Sequence, residues 1–490
     1  MDYRRQESAG PPPPRSSGPS AKKNSALLDH FLDLWQRCLP PLQDRVAERA
    51  QTLALSSLLC LGRHTLTGLL TTSGAQFQDW TAAYRLFSQQ RLDPSALFAG
   101  IRSACLEQLD AAAPICLSVD DSLLPKSGPK IPGAAWHRDP QGPPFQVNLI
   151  RAQRVLQFSC LLPISGSAAV RGVPIDFLHA PKPPKLNSHA TAEQQQEHLK
   201  LAGELNLAAR AHQQLETFRA QFGSRRVILL SDARFTTKTF LTGFPANTTL
   251  IGRLRKDAKL FSAPAAQPPT GRPRIYGEAL PTPEQLRQEE SVPWETIAVH
   301  AAGADHQCRV KSSADVRWRP AGARPLRLIV IAPLAYRSRQ GARLLYRDPA
   351  YLICSDLDLP LAQIVQWYFT RWDIEVNFRE EKTLLGVGQA QVRNQASCQA
   401  VPAFQVASYA LLLLAALRAT GDLLPSPKWQ QHTQPERVSA QRLLQNLRFQ
   451  VWGRGLGLSS FSGFSSVPPT AQNPEKLLYA LPSAILYALQ

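Results

Sequence analysis

Two short apolar runs, each ending on acid, constrain this chain more than any other feature: ICLSVDD at 115–121 and VILLSD at 227–232. Runs of this length, rich in Ile, Val and Leu, read as buried strands. FQVNLIRAQ and RVLQFSCLLP, within 145–163, predict two further strands with a turn near Gln153. TTLIGRLR (248–255) and YLICSD (351–356) add two more, and 190–221 has helical spacing of Leu and Phe. Strands, then a helix, then more strands imply a mixed sheet with helices packed on it.

The formal charge narrows the partner. Lys and Arg number 55 against 37 Asp and Glu, a net +18 over 490 residues. Such an excess suits a polyanion, nucleic acid first and an anionic membrane second. Ten of the basic residues fall within 301–347 against Asp305 and Asp315, so this Pro-, Gly- and Arg-rich stretch reads as a solvated β-rich insertion with a basic face. The eight cysteines show no C-x-x-C pair and no zinc-ligand spacing, which fits buried free thiols in a reducing compartment. The first 25 residues have no apolar core and do not resemble a secretory signal. The longest apolar stretch, Val406–Leu417, is too short to span a bilayer. A cytoplasmic, nucleoid-associated protein without a membrane partner is expected.

One helix carries most of the chemistry. LPLAQIVQWYFTRWDIEVNFREEKTLL (359–385) follows Asp358, a candidate cap, and Pro360 is tolerated in its first turn. At ~100° per residue, Tyr368, Arg371, Glu375 and Lys382 share one narrow polar face along roughly 21 Å of axis. Val365, Phe369, Trp372 and Val376 form an apolar stripe beside it, expected to dock on the sheet. Asp373, Glu380 and Glu381 project elsewhere on the same wheel. An ordinary solvated face with i, i+3 and i+4 pairs has the same spacing.

Carboxylates at two strand tips and on one packed helix can converge in space. A set of hard oxygens suits Mg²⁺ or Mn²⁺ rather than zinc. Two such ions polarise the attacking and leaving oxygens of a phosphodiester, and flanking basic residues hold its backbone.

At this point a resemblance enters. Tyr368-x2-Arg371-x3-Glu375-x6-Lys382 resembles the Y-x2-R-x3-E-x6-K signature of a group of DDE insertion-sequence transposases, in all four positions and all three gaps. VDDSLLPKSG (119–128) and VILLSDARF (227–235) resemble the segments around that group's two catalytic Asp residues. The likeness covers about residues 50–420. It implies an α/β fold: an RNase H-like mixed-sheet catalytic core with a β-rich insertion and helical N- and C-terminal regions. The implied organisation is a disordered basic tail (1–25) and a helical N-terminal DNA-binding domain (26–110). Core segments at 111–255 and 348–395 then flank the insertion (256–347), and a helical C-terminal region (396–490) follows.

The resemblance further implies an Asp-Asp-Glu triad, Asp121, Asp232 and Glu375, that binds two Mg²⁺ ions, with Mn²⁺ as substitute. Asp121 is favoured over Asp120 because the family pattern puts the catalytic Asp directly before Thr or Ser. Adjacent strand residues face opposite ways, so only one of the two reaches the metals. Tyr368, Arg371 and Lys382 would hold a phosphate near the cleaved end. Trp318, between Arg317 and Arg319, is the candidate for stacking on a flipped base, with Trp294 as its competitor; a Trp in the insertion's own core is the plainer alternative. The implied activity is cleavage of double-stranded DNA at inverted-repeat ends and joining of the freed 3′-OH to target DNA, by a homodimer in the DNA complex. A domesticated DNA-binding regulator of the same fold, or an RNase H-like nuclease without strand transfer, are the alternatives.

Overall fold

A computed structural model describes residues 26–453, apart from 141, 144, 266–270, 302, 338–340 and 420–436, together with residue 485. The tail expected over 1–25, and most of the C-terminal region after 420, lie outside the described residues.

Five helices come first: α1 (Leu27–Cys38), α2 (Asp44–Leu59), α3 (Leu66–Thr72), α4 (Thr81–Ser88) and α5 (Pro94–Leu106). The sheet begins with β1 (Ile115–Pro125), β2 (Ala134–Arg138), β3 (Leu149–Pro163) and β4 (Val170–His179). Helices α6 (Ala192–Glu204) and α7 (Leu207–Phe222) lead to β5 (Val227–Ser231), α8 (Lys238–Leu241) and β6 (Thr248–Arg253). The insertion supplies β7 (Leu260–Phe261), β8 (Ala279–Leu280), α9 (Pro283–Gln288), β9 (Glu295–Ala301), β10 (Ala304–Trp318), β11 (Leu326–Ile331), β12 (Ala335–Tyr336) and β13 (Leu345–Tyr346). Then follow β14 (Ala350–Cys354), α10 (Leu361–Thr370), α11 (Trp372–Thr383), α12 (Gln395–Arg418) and α13 (Ala440–Arg448).

Strands β1, β5 and β6 run parallel at the centre, with β3 antiparallel on one side and β14 antiparallel on the other. Beyond β14 the order continues β11-β10-β7-β8, so the insertion is hydrogen-bonded into the same twelve-stranded sheet rather than hung beside it. Directly paired residues share a face and successive residues alternate, which sorts the sheet into two sides. Ile115, Leu117 and Val119 lie on the side where Phe158 meets α7's Phe218 edge to face, 5.1 Å between ring centroids. Cys116, Ile228, Leu230, Ile251 and Leu352 lie on the other side, packed against Ile364, Val365 and Tyr368 of α10.

Several sequence expectations need correction. Residues 145–163 do not make two strands. Gln153 lies inside the continuous β3, opposite Leu124 of β1 and Ala134 of β2, and no turn interrupts it. The strand β4 had no counterpart in the sequence reading. The helix over 359–385 is two helices meeting at Arg371, where the Arg371 N–H bonds to the Tyr368 carbonyl and the Ile374 N–H to the Arg371 carbonyl, each only three residues back. Pro360, not Asp358, occupies the N-cap. The junction changes the docking face: Val365 and Val376 are buried, but Trp372 is 57 % exposed. Ile364, Ile374 and Phe378 are buried instead.

The terminal helices form one body. Phe404 of α12 meets Trp35 of α1 at 6.0 Å and Phe87 of α4 at 5.3 Å, both edge to face. The whole of α12, not merely Val406–Leu417, is long and apolar enough to cross a membrane by length and composition, yet 89 % of its most apolar window is buried inside the protein. Burial of that helix against α1, α4 and α5 explains why it is apolar all round. In the Gly62–Thr65 turn Gly62 and Arg63 are exposed, while His64 is buried and its backbone N–H donates to Gln389 Oε1 at 2.9 Å. All eight cysteines are buried and none forms a disulfide.

Candidate active site

β5 ends at Ser231, opposite Val119, while β1 runs on to Pro125 paired only with β3. The expected strand end at Asp120–Asp121 is therefore corrected: Asp120 lies midway along β1, next door to Asp232, which stands just past the end of β5 where the parallel pairing stops. On the side of the sheet that Asp120 faces, the α10–α11 junction brings in Arg371. Its Nη1 donates to Asp120 Oδ2 at 3.3 Å and its Nη2 to Glu375 Oε1 at 2.6 Å. Tyr368 lies beneath the same guanidinium, 5.8 Å from the ring centroid. About two turns beyond Glu375 on α11, Lys382 Nζ donates to Ser122 Oγ at 2.5 Å. All four positions of the helical motif thus lie beside β1, and each contacts another of the four or β1 itself.

The two adjacent acids part company. Asp120 faces the α10–α11 side with Arg371 and Glu375. Asp121 faces the other side, where Arg234 Nη1 donates to both its oxygens at 2.7 and 2.6 Å. The sequence reading favours Asp121 as the triad member, but the side chain that meets Arg371 is Asp120, and Glu375 shares that guanidinium. Strand alternation decides which of the two acids faces the helix: Asp120 pairs level with Gln157 on the face beneath α11, and Asp121 points the other way. Asp232 stays at the rim, its Oδ1 accepting the Arg234 N–H at 2.9 Å.

Burial, and then the negative charge of Asp232, push the Asp120 carboxyl up to about 7 against the pull of Arg371. Burial likewise raises Asp121, opposed by Arg234 and Arg154. Arg371 undergoes the same desolvation, but Tyr368, Asp120 and Glu375 outweigh it and hold its charge more firmly than usual. Lys382 is lowered by burial, with Glu381 opposing.

Among the described residues no three His, Cys, Asp or Glu side chains stand together as a ready metal cluster. Arg371 stands between Asp120 and Glu375 and ion-pairs with both. The donors nevertheless fit hard divalent ions. They are all carboxylate oxygens, two of them are neighbours on adjacent strands, and a bound cation would offset the burial and the Asp232 charge that raise Asp120.

The remaining expectations fall differently. Trp318 is half-buried, pairs with Leu260 of β7 and packs against both the insertion's core and the main core. Trp294 is also half-buried, with Arg309 and Lys311 over its ring at 5.5 and 4.7 Å. Sequence reasoning missed Arg234 and Arg154, the cations about Asp121; the only available signal was Arg234's place two residues after Asp232 in SDARF.

This architecture, a large mixed sheet with helices at both ends, is that of an RNase H-like DDE domain of the transposase type. The chain matches the family model described as DDE superfamily endonuclease over residues 37–324, more than half its length, and belongs to that family. The match includes Asp120, Asp121 and Asp232 and ends before α10. No curated protein matches the chain.

Proposed function

We propose that this endonuclease is a cut-and-paste DNA transposase that acts on the inverted-repeat ends of an insertion sequence. The observation that carries the reading is Arg371 joining Asp120 to Glu375 beside Asp232, at the sheet's rim. Asp120, Asp232 and Glu375 would hold two Mg²⁺ or Mn²⁺ ions, with Asp120 replacing Asp121 in the triad. Bound there, the ions would supply Lewis-acid stabilisation of the attacking and leaving oxygens.

The chain's own residues supply the rest. Arg371 offers a planar fork to a phosphate, Lys382 a point charge and Tyr368 a single hydroxyl donor. With substrate present, Arg371 turns part of its fork from the carboxylates to the phosphate, so one side chain orients both partners. In the first reaction water adds to phosphorus and the 3′-oxygen leaves, giving a 3′-OH and a 5′-phosphate. In the second the 3′-OH adds to a target phosphodiester and expels a target 3′-oxygen, so bond number is conserved and no oxidant or nucleotide is needed. Two subunits on paired ends, acting on nucleoid DNA in the cytoplasm, complete the reading.

The test is incubation of the full chain with a labelled element end, taken from the repeats flanking its gene, in Mg²⁺ or Mn²⁺. Nicks and joined products are expected, and chelator should remove both. Nicks without joined products would reduce the reading to a nuclease, and binding without nicks to a DNA-binding regulator.

A further inference from the structure

The rim that carries Asp120 and Asp232 also carries an arm. Pairing runs level across the sheet from Asp120 of β1 and Asp232, just past β5, through Arg253 of β6, Leu352 of β14 and Ile329 of β11. Two residues nearer the rim, β11 ends at Ile331 opposite Ala350, the first residue of β14. The chain between them leaves the sheet as the two-stranded ribbon β12–β13, with Ala335 opposite Tyr346 and Tyr336 opposite Leu345. It therefore rises from the same end of the sheet as the acids. Its root at β14 is two strands from β5, roughly 10 Å at the usual strand spacing.

The ribbon is basic and aromatic. Tyr346 is 65 % exposed and Tyr336 39 %. Arg347 lies over the Tyr336 ring at 5.2 Å, and Arg337 donates to the Ala342 carbonyl. None of Arg337, Arg343 and Arg347 forms an ion pair with a carboxylate among the described residues. Asp348 is the only acid between 332 and 350. A strand pair exposed only for solubility needs no such one-signed charge. Arginines without carboxylate partners, beside exposed tyrosine rings, suit a polyanion with flat edges. A two-stranded ribbon also fits the major groove of B-DNA, about 12 Å wide.

We propose that β12–β13 is a DNA arm that enters a groove of the duplex whose phosphodiester lies at Asp120 and Asp232. Arg337, Arg343 and Arg347 meet phosphates on the groove's edges, and Tyr346, the more exposed ring, lies against its floor, while Tyr336 faces the other side of the ribbon under Arg347. This inference rests on the nuclease reading above and adds to it a binding element remote from the acids.

The test uses the full chain and a duplex of arbitrary sequence, with binding followed by fluorescence anisotropy over a range of salt. The triple variant Arg337→Ala, Arg343→Ala, Arg347→Ala should bind on the order of tenfold more weakly, and its salt slope should fall by about 0.9 for each phosphate it no longer neutralises. The matching triple Lys variant should retain most of the slope. A photo-crosslinking residue placed at Tyr346 should join to the duplex, a readout that does not depend on the arginine variants folding. If wild-type protein binds and nicks DNA while the alanine variant shows unchanged affinity and slope, or Tyr346 gives no crosslink, the arm is overturned and the nuclease reading stands. If wild-type protein neither binds nor nicks any duplex, both fall.

Discussion

Arg371 donates to Asp120 at 3.3 Å across 251 residues of chain, and to Glu375 one helical turn away at 2.6 Å. One cation thereby ties a central strand to a helix that follows the whole insertion. Its positive charge offsets the repulsion between the two carboxylates it joins.

That arrangement separates the two adjacent acids. Asp120→Asn should lower end cleavage on the order of 10²–10³-fold, the loss of several kcal/mol of transition-state stabilisation, with DNA binding retained. Asp121→Asn should leave most of the cleavage rate intact, since its carboxylate is engaged by Arg234 on the other face. Parallel rate measurements in Mn²⁺ decide the matter. The reverse ranking would restore Asp121 to the triad.

Lys382 reaches Ser122 beside the acids while losing some affinity for its proton to burial. Lys382→Ala should weaken binding uniformly across DNA sequences and reduce the salt slope by about 1. Equilibrium titrations at three salt concentrations suffice. An unchanged slope would make Lys382 a strut between α11 and β1 and nothing more.

Glu381, on the same helix, is fully buried beside Gln157, and burial pushes its carboxyl up to about 8 from 4.5. A neutral Glu381 Oε–H can donate to Gln157 Oε1; as placed, the Oε1 atoms of both residues lack a partner among the described residues. Between about pH 4.5 and 8 the folded chain then holds a proton that the unfolded chain has lost, so stability falls as pH rises through that window. Denaturant titrations at pH 5 and 8 should show the fall in wild type and a smaller one in Glu381→Gln. Parallel pH dependence in the two proteins would mean that Glu381 is ionised in the fold.

Asp373, which has no place in the polar row, accepts from the Gly172 N–H at 2.6 Å and from Arg437 at 2.6 Å. A Cβ on Gly172 would come within 3.0 Å of the Asp373 Cβ. Gly172→Ala should therefore push α11 from β4 and cost roughly 1–3 kcal/mol by overpacking. A thermal melt that matches wild type would show that the helix can give way freely.

The buried strands were legible because continuous Ile, Val and Leu runs have no solvated alternative, and the motif on 368–382 was legible because helical spacing maps sequence onto a face. The long strand β3 was misread because a polar Gln153 resembles a turn. In the fold its Nε2 donates to the Pro132 carbonyl at 2.8 Å, which satisfies the polar side chain mid-sheet. The buried Arg371 was legible only as a surface charge, since its partners come from β1 and from α11.

What the amino-acid order determined by itself was the set of acids, the strands that present them and the helix that brings a third, since these depend on local apolar patterning and period. Which of Asp120 and Asp121 faces the helix, how α10 and α11 meet at Arg371, and that the insertion's strands extend the same sheet were decided by the tertiary structure, above all by strand register. Register depends on pairing between residues more than a hundred positions apart, as between β1 and β5, and a shift of one residue turns every side chain to the other face.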